Sequence, residues 1–311
     1  MRNASYYLAA IAAFTIWGFF SLVLRPLAHY AALDILFYRV FISATLMLMS
    51  VFFRLSVWKE NKQLFAGLSG RDRRGVMFQL FGGGFFLTCN WFFYIYVVNN
   101  VSVKASAFAY LVCPVLTTVL AWAILKEWLT RGQWAAVLLS VIGCGILGFH
   151  HLVDLLYSII IALSYALYLV IQRRNYGADR FLLLSGQVIF SALLLLPFYP
   201  VYRGPVPAEA WFYLTIGFIA VFLTIIPLFL NLYALKFLRS STIGILLNIT
   251  PLVAFVLAVT FFREKVDALQ LVSYGIIVLS VALFNWFNPA NRQSDGRRSR
   301  TSAAVGRARK A

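Results

Sequence analysis

Arg39 is an ionisable side chain lying inside an otherwise apolar run, residues 33–53. A charge at such a place is expensive in hydrocarbon and marks a functional position by default. Two roles are open to it. Arg39 can face an internal cavity and meet a substrate carboxylate or other acceptor, or it can snorkel outward or bond to backbone carbonyls. Asp34 precedes it by five residues, near the edge of the same run. Amides recur inside other apolar runs at Asn90, Gln187, Asn231 and Asn248. Each can line a solute path or bridge two helices.

Aromatic residues are abundant, and most of the 29 Phe, 16 Tyr and 8 Trp are expected to face lipid or form interfacial belts. Those that stand out beside polar positions are Trp17, Tyr38, Tyr94, Tyr110, Tyr165 and Tyr168. A pocket lined by such rings, with a few polar groups, suits a small, largely apolar or aromatic solute. The candidate substrate-binding set is therefore Arg39, Trp17, Tyr38, Asn90, Tyr94, Tyr110, Tyr165, Tyr168, Gln187 and Asn248.

Catalytic chemistry has little to stand on. His29, His150 and His151 are expected at the outer surface, and no paired-carboxylate or His/Asp set appears. Cys89, Cys113 and Cys144 sit in apolar runs without metal-ligand spacing. Gly82-Gly83-Gly84 lies inside an apolar run and lacks the Lys-Ser/Thr of a phosphate loop, so close helix packing is its better reading. No cofactor and no metal are implied.

The elements that hold these residues follow from composition. Hydrophobic residues make up 62% of the chain and charged ones 12%, with mean hydropathy +0.84. Soluble domains have about 45–50% apolar and about 25% charged residues, so the expected class is an all-α polytopic membrane protein. Apolar runs fall at 6–24, 33–53, 76–98, 105–125, 133–149, 153–171, 182–202, 211–235, 240–262 and 268–287. The first is too long for a signal-peptide core and reads as a span. The polar link at 54–75 reads as a loop, residues 150–152 as a tight turn, and the Ser-, Gly- and Arg-rich tail 288–311 as disordered.

The formal charge of +17 is explained by topology rather than by nucleic acid. With the N-terminus inside, 21 of the 27 Lys and Arg fall on one side and 5 on the other, Arg39 being within a span. That bias places both termini in the cytoplasm of a cell with an inner (plasma) membrane as its host bilayer.

The stretch 99–147 is echoed by 236–284. Pro114 falls on Pro251, Glu127 on Glu264, Tyr96 on Tyr233 and Ala121 on Ala258, each 137 residues on. Earlier in each half the offset is 148, matching Arg39 with Gln187, Ser43 with Ser191 and Trp17 with Tyr165. Two units follow, 1–149 and 153–287. Each has five spans, an odd number, so the second enters the membrane from the opposite side. Inverted repeats of this kind are a frequent plan for alternating-access carriers.

Ten spans in two inverted halves, each marked by a proline and then a glutamate, resemble the EamA family of the drug/metabolite transporter superfamily. Trp17-Gly18, the string Asp34–Ser43 (DILFYRVFIS), Asn90-Trp91, Asn99-Asn100 and Tyr110 through Pro114 are similar to its RarD-like permeases. The resemblance spans residues 5–287. It implies a permease for a small organic metabolite or drug-like solute, with export the expected direction. The family pattern would have Glu at Asp34, His at Tyr38, Glu near Ala105 and Asn at Cys113. A membrane-embedded enzyme, or a lipid-interacting protein that transports nothing, is the alternative. The expected partners are the solute and the bilayer, with no nucleic acid; oligomeric state is left open.

Overall fold

A computed structural model describes residues 2–287 apart from 28, 101–102, 149–151, 175, 262 and 264–267. His150, His151, Glu264 and the basic tail from Asn288 therefore lie outside the described residues, as do the side chains of Asn99 and Asn100.

Every apolar run becomes helix. A backbone in hydrocarbon finds no water, and a helix satisfies its N–H and C=O groups internally. The first run forms α1 (Arg2–Gly18) and α2 (Phe20–Leu24), followed by a short 3-10 turn; the second forms α3 (Ala32–Phe52). The polar link is not a plain loop, because it holds α4 (Leu55–Gly67). Val57, Asn61 and Phe65 share its less exposed side, and Asn61 Oδ1 accepts from the Asp179 N–H at 2.8 Å. A helical period hidden in a polar segment thus finds a partner in a distant turn.

The chain continues through α5 (Gly70–Asn100), α6 (Val103–Leu125), α7 (Arg131–Gly148), α8 (Leu152–Arg173), α9 (Arg180–Leu195) and α10 (Tyr199–Tyr202). Then come α11 (Ala210–Ala220), a π-helical turn (Val221–Ile225), α12 (Ile226–Leu235), α13 (Ser240–Leu246), α14 (Ile249–Thr260) and α15 (Ala268–Trp286). Five helical stretches are long and apolar enough to cross a bilayer: Ala4–Leu27, Ala32–Phe52, Gly70–Val97, Leu156–Arg173 and Ala210–Leu235. Five shorter apolar helices accompany them: Ala109–Leu125, Arg131–Ile146, Arg180–Leu195, Ser240–Ala254 and Leu271–Trp286. The exposed surface carries many large apolar side chains, among them Phe53, Leu138, Leu214 and Leu271. This is a multi-pass membrane protein, whose greasy exterior matches lipid rather than water.

Packing is reciprocal between the two sequence units. α6 packs on α8, and α14 packs on α1. α5 packs on α8, and α12 on α1; α3 packs on α11, and α5 on α9. Three pairs match a run with its own counterpart: α3 with α9, α6 with α13, and α7 with α15. Gly83 and Gly84 let α5 approach α9 closely. A Cβ on Gly83 would lie 2.6 Å from Gln187 Nε2, and one on Gly84 2.8 Å from Phe190 Cδ1.

The end of α6 is tied to the start of α13. Lys126 takes a left-handed φ of 56°, turning the chain so that Glu127 faces the second unit. Its carboxylate accepts from Ser240 N–H at 2.9 Å, Ser241 N–H at 3.1 Å and Ser241 Oγ–H at 2.6 Å, with Arg173 Nε 3.8 Å away. The first N–H groups of a helix have no intrahelical acceptor, and an anion there also meets the positive end of the helix dipole. Arg263, 137 residues after Lys126, has φ 52°.

Candidate solute-binding site

Pro227 begins the construction. It has no N–H, so the carbonyl four residues earlier, Leu223, loses its ordinary helical donor. The backbone around it widens into the π-helical turn, and Ile226 N–H bonds back to Val221 O. Trp17 of α1 supplies the missing donor, its Nε1–H reaching Leu223 O at 2.9 Å. The same turn presents Thr224, whose Oγ1 donates to Ile219 O at 3.0 Å and accepts from Arg39 Nε–H at 2.9 Å. The proline thus supplies acceptors to a tryptophan from α1 and an arginine from α3. Single π turns of this kind recur at functional sites.

Arg39 is 6% exposed. Its guanidinium carbon lies 4.8 Å from the centre of the Trp91 ring and 5.4 Å from that of Phe20. Both rings offer their negative faces to the cation. Tyr94 and Tyr110 lie within electrostatic reach of it. The Tyr94 ring touches Phe20 edge-on at 6.4 Å and Tyr110 at 5.6 Å. No described carboxylate is within ion-pair distance of Arg39, and no second hydrogen bond from its guanidinium is found among the described residues.

A second group adjoins the first through Tyr110 and Cys113, both in electrostatic reach of Tyr165. Trp17 meets Tyr165 edge-on at 5.8 Å, and Tyr165 stacks on Tyr168 at 5.7 Å. Asn231 Nδ2 donates to Tyr165 Oη at 3.1 Å, leaving Asn231 Oδ1 buried without a partner. Tyr168 Oη is also buried and unpartnered. Asn248 stands at the junction of α13 and α14, fully buried, with neither Oδ1 nor Nδ2 hydrogen-bonded. Native proteins rarely leave buried polar atoms unpaired, so each such atom asks for an explanation.

The structure brings together Arg39, Trp17, Tyr94, Tyr110, Tyr165 and Tyr168 from the candidate set. It engages Tyr38, Asn90 and Gln187 in other contacts. Tyr38, next to Arg39 in sequence, lies on another side of α3, since adjacent helical residues do not face the same way. Its Oη is 3.3 Å from Tyr199 Oη, within a cluster formed with Phe212 and Tyr213. Asn90 bridges α5 to α8 by donating to Ile161 O at 3.0 Å. Gln187 donates to Gln79 O at 2.7 Å, over Gly83. Asp34 accepts from the Gly204 N–H at 2.9 Å. His29 is exposed, with its ring tilted against that of Tyr30.

Phe20, Trp91 and Thr224 were not among the residues that sequence pointed to as binding groups. For Thr224 a signal exists: it lies three residues before a proline inside a span, where a backbone acceptor is freed. For Phe20 none distinguishes it from the other aromatics, and Trp91 stands out only as part of the family-like pair Asn90-Trp91. Among the described residues no group of three or more His, Cys, Asp or Glu is placed to hold a metal ion.

An all-helical, multi-pass membrane protein with buried polar groups gathered between apolar helices is the class this geometry defines. The chain belongs to the EamA-like transporter family, which matches residues 4–149 and 153–286. It is 27% identical to the "Uncharacterized transporter YojE" of Bacillus subtilis, over 88% of this chain and 91% of that protein. It is 29% identical to "Protein RarD" of Escherichia coli, over 89% of this chain and 92% of that one. A solved crystal structure superposes with a TM-score of 0.70 at 16% identity, covering 90% of this chain and 96% of the other, which establishes the shared fold. Family and relatives together indicate a transporter-like permease.

Proposed function

We propose that the protein is a secondary transporter that moves a small organic solute across the inner membrane by alternating access, in the direction of export. Its two five-helix units, 1–149 and 153–287, are threaded oppositely through the bilayer and share one binding site between them. Both termini lie in the cytoplasm, and the basic tail anchors that topology. The protein carries out no covalent chemistry.

One observation carries this reading: the cluster around Arg39 draws side chains from both units. Trp17, Phe20, Arg39, Trp91, Tyr94 and Tyr110 come from the first; Tyr165, Thr224 and Asn231 come from the second. A site at the seam between two units can face either side when they rock. The reciprocal packing of α6 on α8 and α14 on α1 supports two related units, as does the left-handed residue after each marked helix.

Purified protein in proteoliposomes, screened for uptake and counterflow of amphiphilic drugs, nucleosides, amino acids and organic acids with and without a pH gradient, is the direct test. At least one class should move in a protein-dependent, saturable manner. Recovery of a covalently altered solute with no flux would replace a carrier with an enzyme.

A further inference from the structure

We propose that the solute bears a single carboxylate and no ammonium group, and that this carboxylate completes the buried Arg39 guanidinium while an apolar or aromatic body lies against Trp91, Phe20, Tyr94 and Tyr110. The proposal rests on the transport reading and names the substrate class of that same site. Its starting point is a charge that the described protein does not neutralise. Arg39 is 6% exposed and no described carboxylate pairs with it. A buried charge left without a counter-charge is strongly unfavourable, so an anion that enters the site gains far more than it would on a wet surface.

The geometry selects among anions. Arginine offers two edges for a two-point bond: one uses Nε with an Nη, the other uses the two Nη atoms. Thr224 Oγ1 occupies Nε. The end-on edge, Nη1 with Nη2, remains, and its parallel N–H bonds match the two oxygens of one carboxylate. The guanidinium carbon lies 4.8 Å from the centre of the Trp91 ring and 5.4 Å from that of Phe20, and these contacts together with the Thr224 bond hold the group in place. With a single guanidinium among the described residues of the cluster, one negative charge is balanced and a second is not.

Among the described residues the same census disfavours cations and amino acids, because Arg39 itself repels an ammonium and no described carboxylate stands beside it. An ammonium would need an acidic partner close by. Asp34 is engaged with the Gly204 N–H, and Glu127 with Ser240 and Ser241 at the far end of α6. The rings supply the remaining contacts. Tyr94, Tyr110 and Tyr165 offer apolar faces, and Asn231 Oδ1 offers an acceptor to a neutral donor on the solute.

The test uses the full-length protein in lipid nanodiscs with 3-phenylpropionate, its neutral amide 3-phenylpropionamide, and phenylalanine, which adds an ammonium to the same skeleton. Binding is read by tryptophan fluorescence and by calorimetry. Wild-type protein should bind 3-phenylpropionate at least tenfold more tightly than either analogue. Arg39→Gln should bind acid and amide alike, and Arg39→Lys should keep part of the preference. Melting temperatures establish that each variant is folded; if Arg39→Gln is not, the wild-type comparison across the three probes decides alone. Equal or tighter binding of the amide or of phenylalanine overturns the proposal, as does no binding of 3-phenylpropionate at millimolar concentration. Counterflow separates the two readings. Charge-selective binding without flux sinks transport and leaves the carboxylate site standing. Flux of neutral solutes that Arg39→Gln leaves intact does the reverse.

Discussion

α6 carries Pro114 through an unbroken helix from Val103 to Leu125, whereas Pro251 follows a break between α13 and α14. Both prolines lack an N–H and press on the carbonyl four residues earlier. The surroundings differ. Where α6 has Ala107, Leu111 and Cys113, the second stretch has Gly244, Asn248 and Thr250. Alanine and leucine favour helix; glycine costs about 1 kcal/mol more than alanine there, and asparagine competes for the backbone. The second stretch therefore tightens into short-range bonds: Asn248 N–H to Ile245 O at 3.1 Å and Thr250 N–H to Leu247 O at 3.0 Å. A proline alone does not break these helices. Its neighbours decide, and in the second stretch they place an unpaired amide at the break.

Replacing Asn248 by Leu, the residue at the equivalent place in α6, tests that difference most severely. Two unpartnered buried polar atoms disappear, so the variant should be more stable by about 1–3 kcal/mol, seen as a higher melting temperature in detergent. If the amide serves the solute path, transport should fall at least tenfold. A variant that transports normally and melts no higher would reduce Asn248 to an incidental polar residue.

Glu127→Ala should show the next largest effect. It strips acceptors from Ser240 N–H, Ser241 N–H and Ser241 Oγ–H. Hydrogen bonds to a charged group are worth about 1.5–3 kcal/mol each, less where solvent reaches them. Thermal unfolding should show a loss of about 2 kcal/mol, with Glu127→Gln losing less because it keeps an acceptor. An unchanged melting temperature would mean that the tie between α6 and α13 contributes nothing.

Trp17→Phe keeps an aromatic ring against Tyr165 but removes the donor to Leu223 O. A loss of about 1 kcal/mol is expected, with faster hydrogen exchange across 221–226. Exchange that stays at the wild-type rate would show that the π turn holds without the indole.

The smallest effect separates the prolines directly. Pro251→Ala offers Leu247 O a helical donor beside the Thr250 N–H it already accepts from, and should slow exchange at 247–251. Pro114→Ala, in a helix already continuous, should leave exchange in α6 within about twofold, because an exposed or buried alanine suits its geometry. Equal responses would mean that both helices break alike in solution.

How much was legible in the chain depends on the range over which each feature acts. Ten apolar runs, the proline and glutamate positions and the close packing at Gly83 and Gly84 are local or compositional, and each was readable. α4 was not, because a polar segment shows its helical face only against the turn that Asn61 meets. The candidate site divided in the same way. Arg39 was evident because a charge in an apolar run is conspicuous by itself. Asn90 and Gln187 were equally conspicuous, yet they tie helices together.

By itself the sequence determined that this is a multi-pass helical membrane protein, that its halves echo one another, and that Arg39 is the charge to be explained. Only the tertiary structure decided which residues Arg39 meets. Spans that are apolar on every side carry no moment that marks an inward face. Which face turns inward is set by neighbouring helices, and so Thr224, 185 residues away, meets Arg39 while adjacent Tyr38 turns to Tyr199.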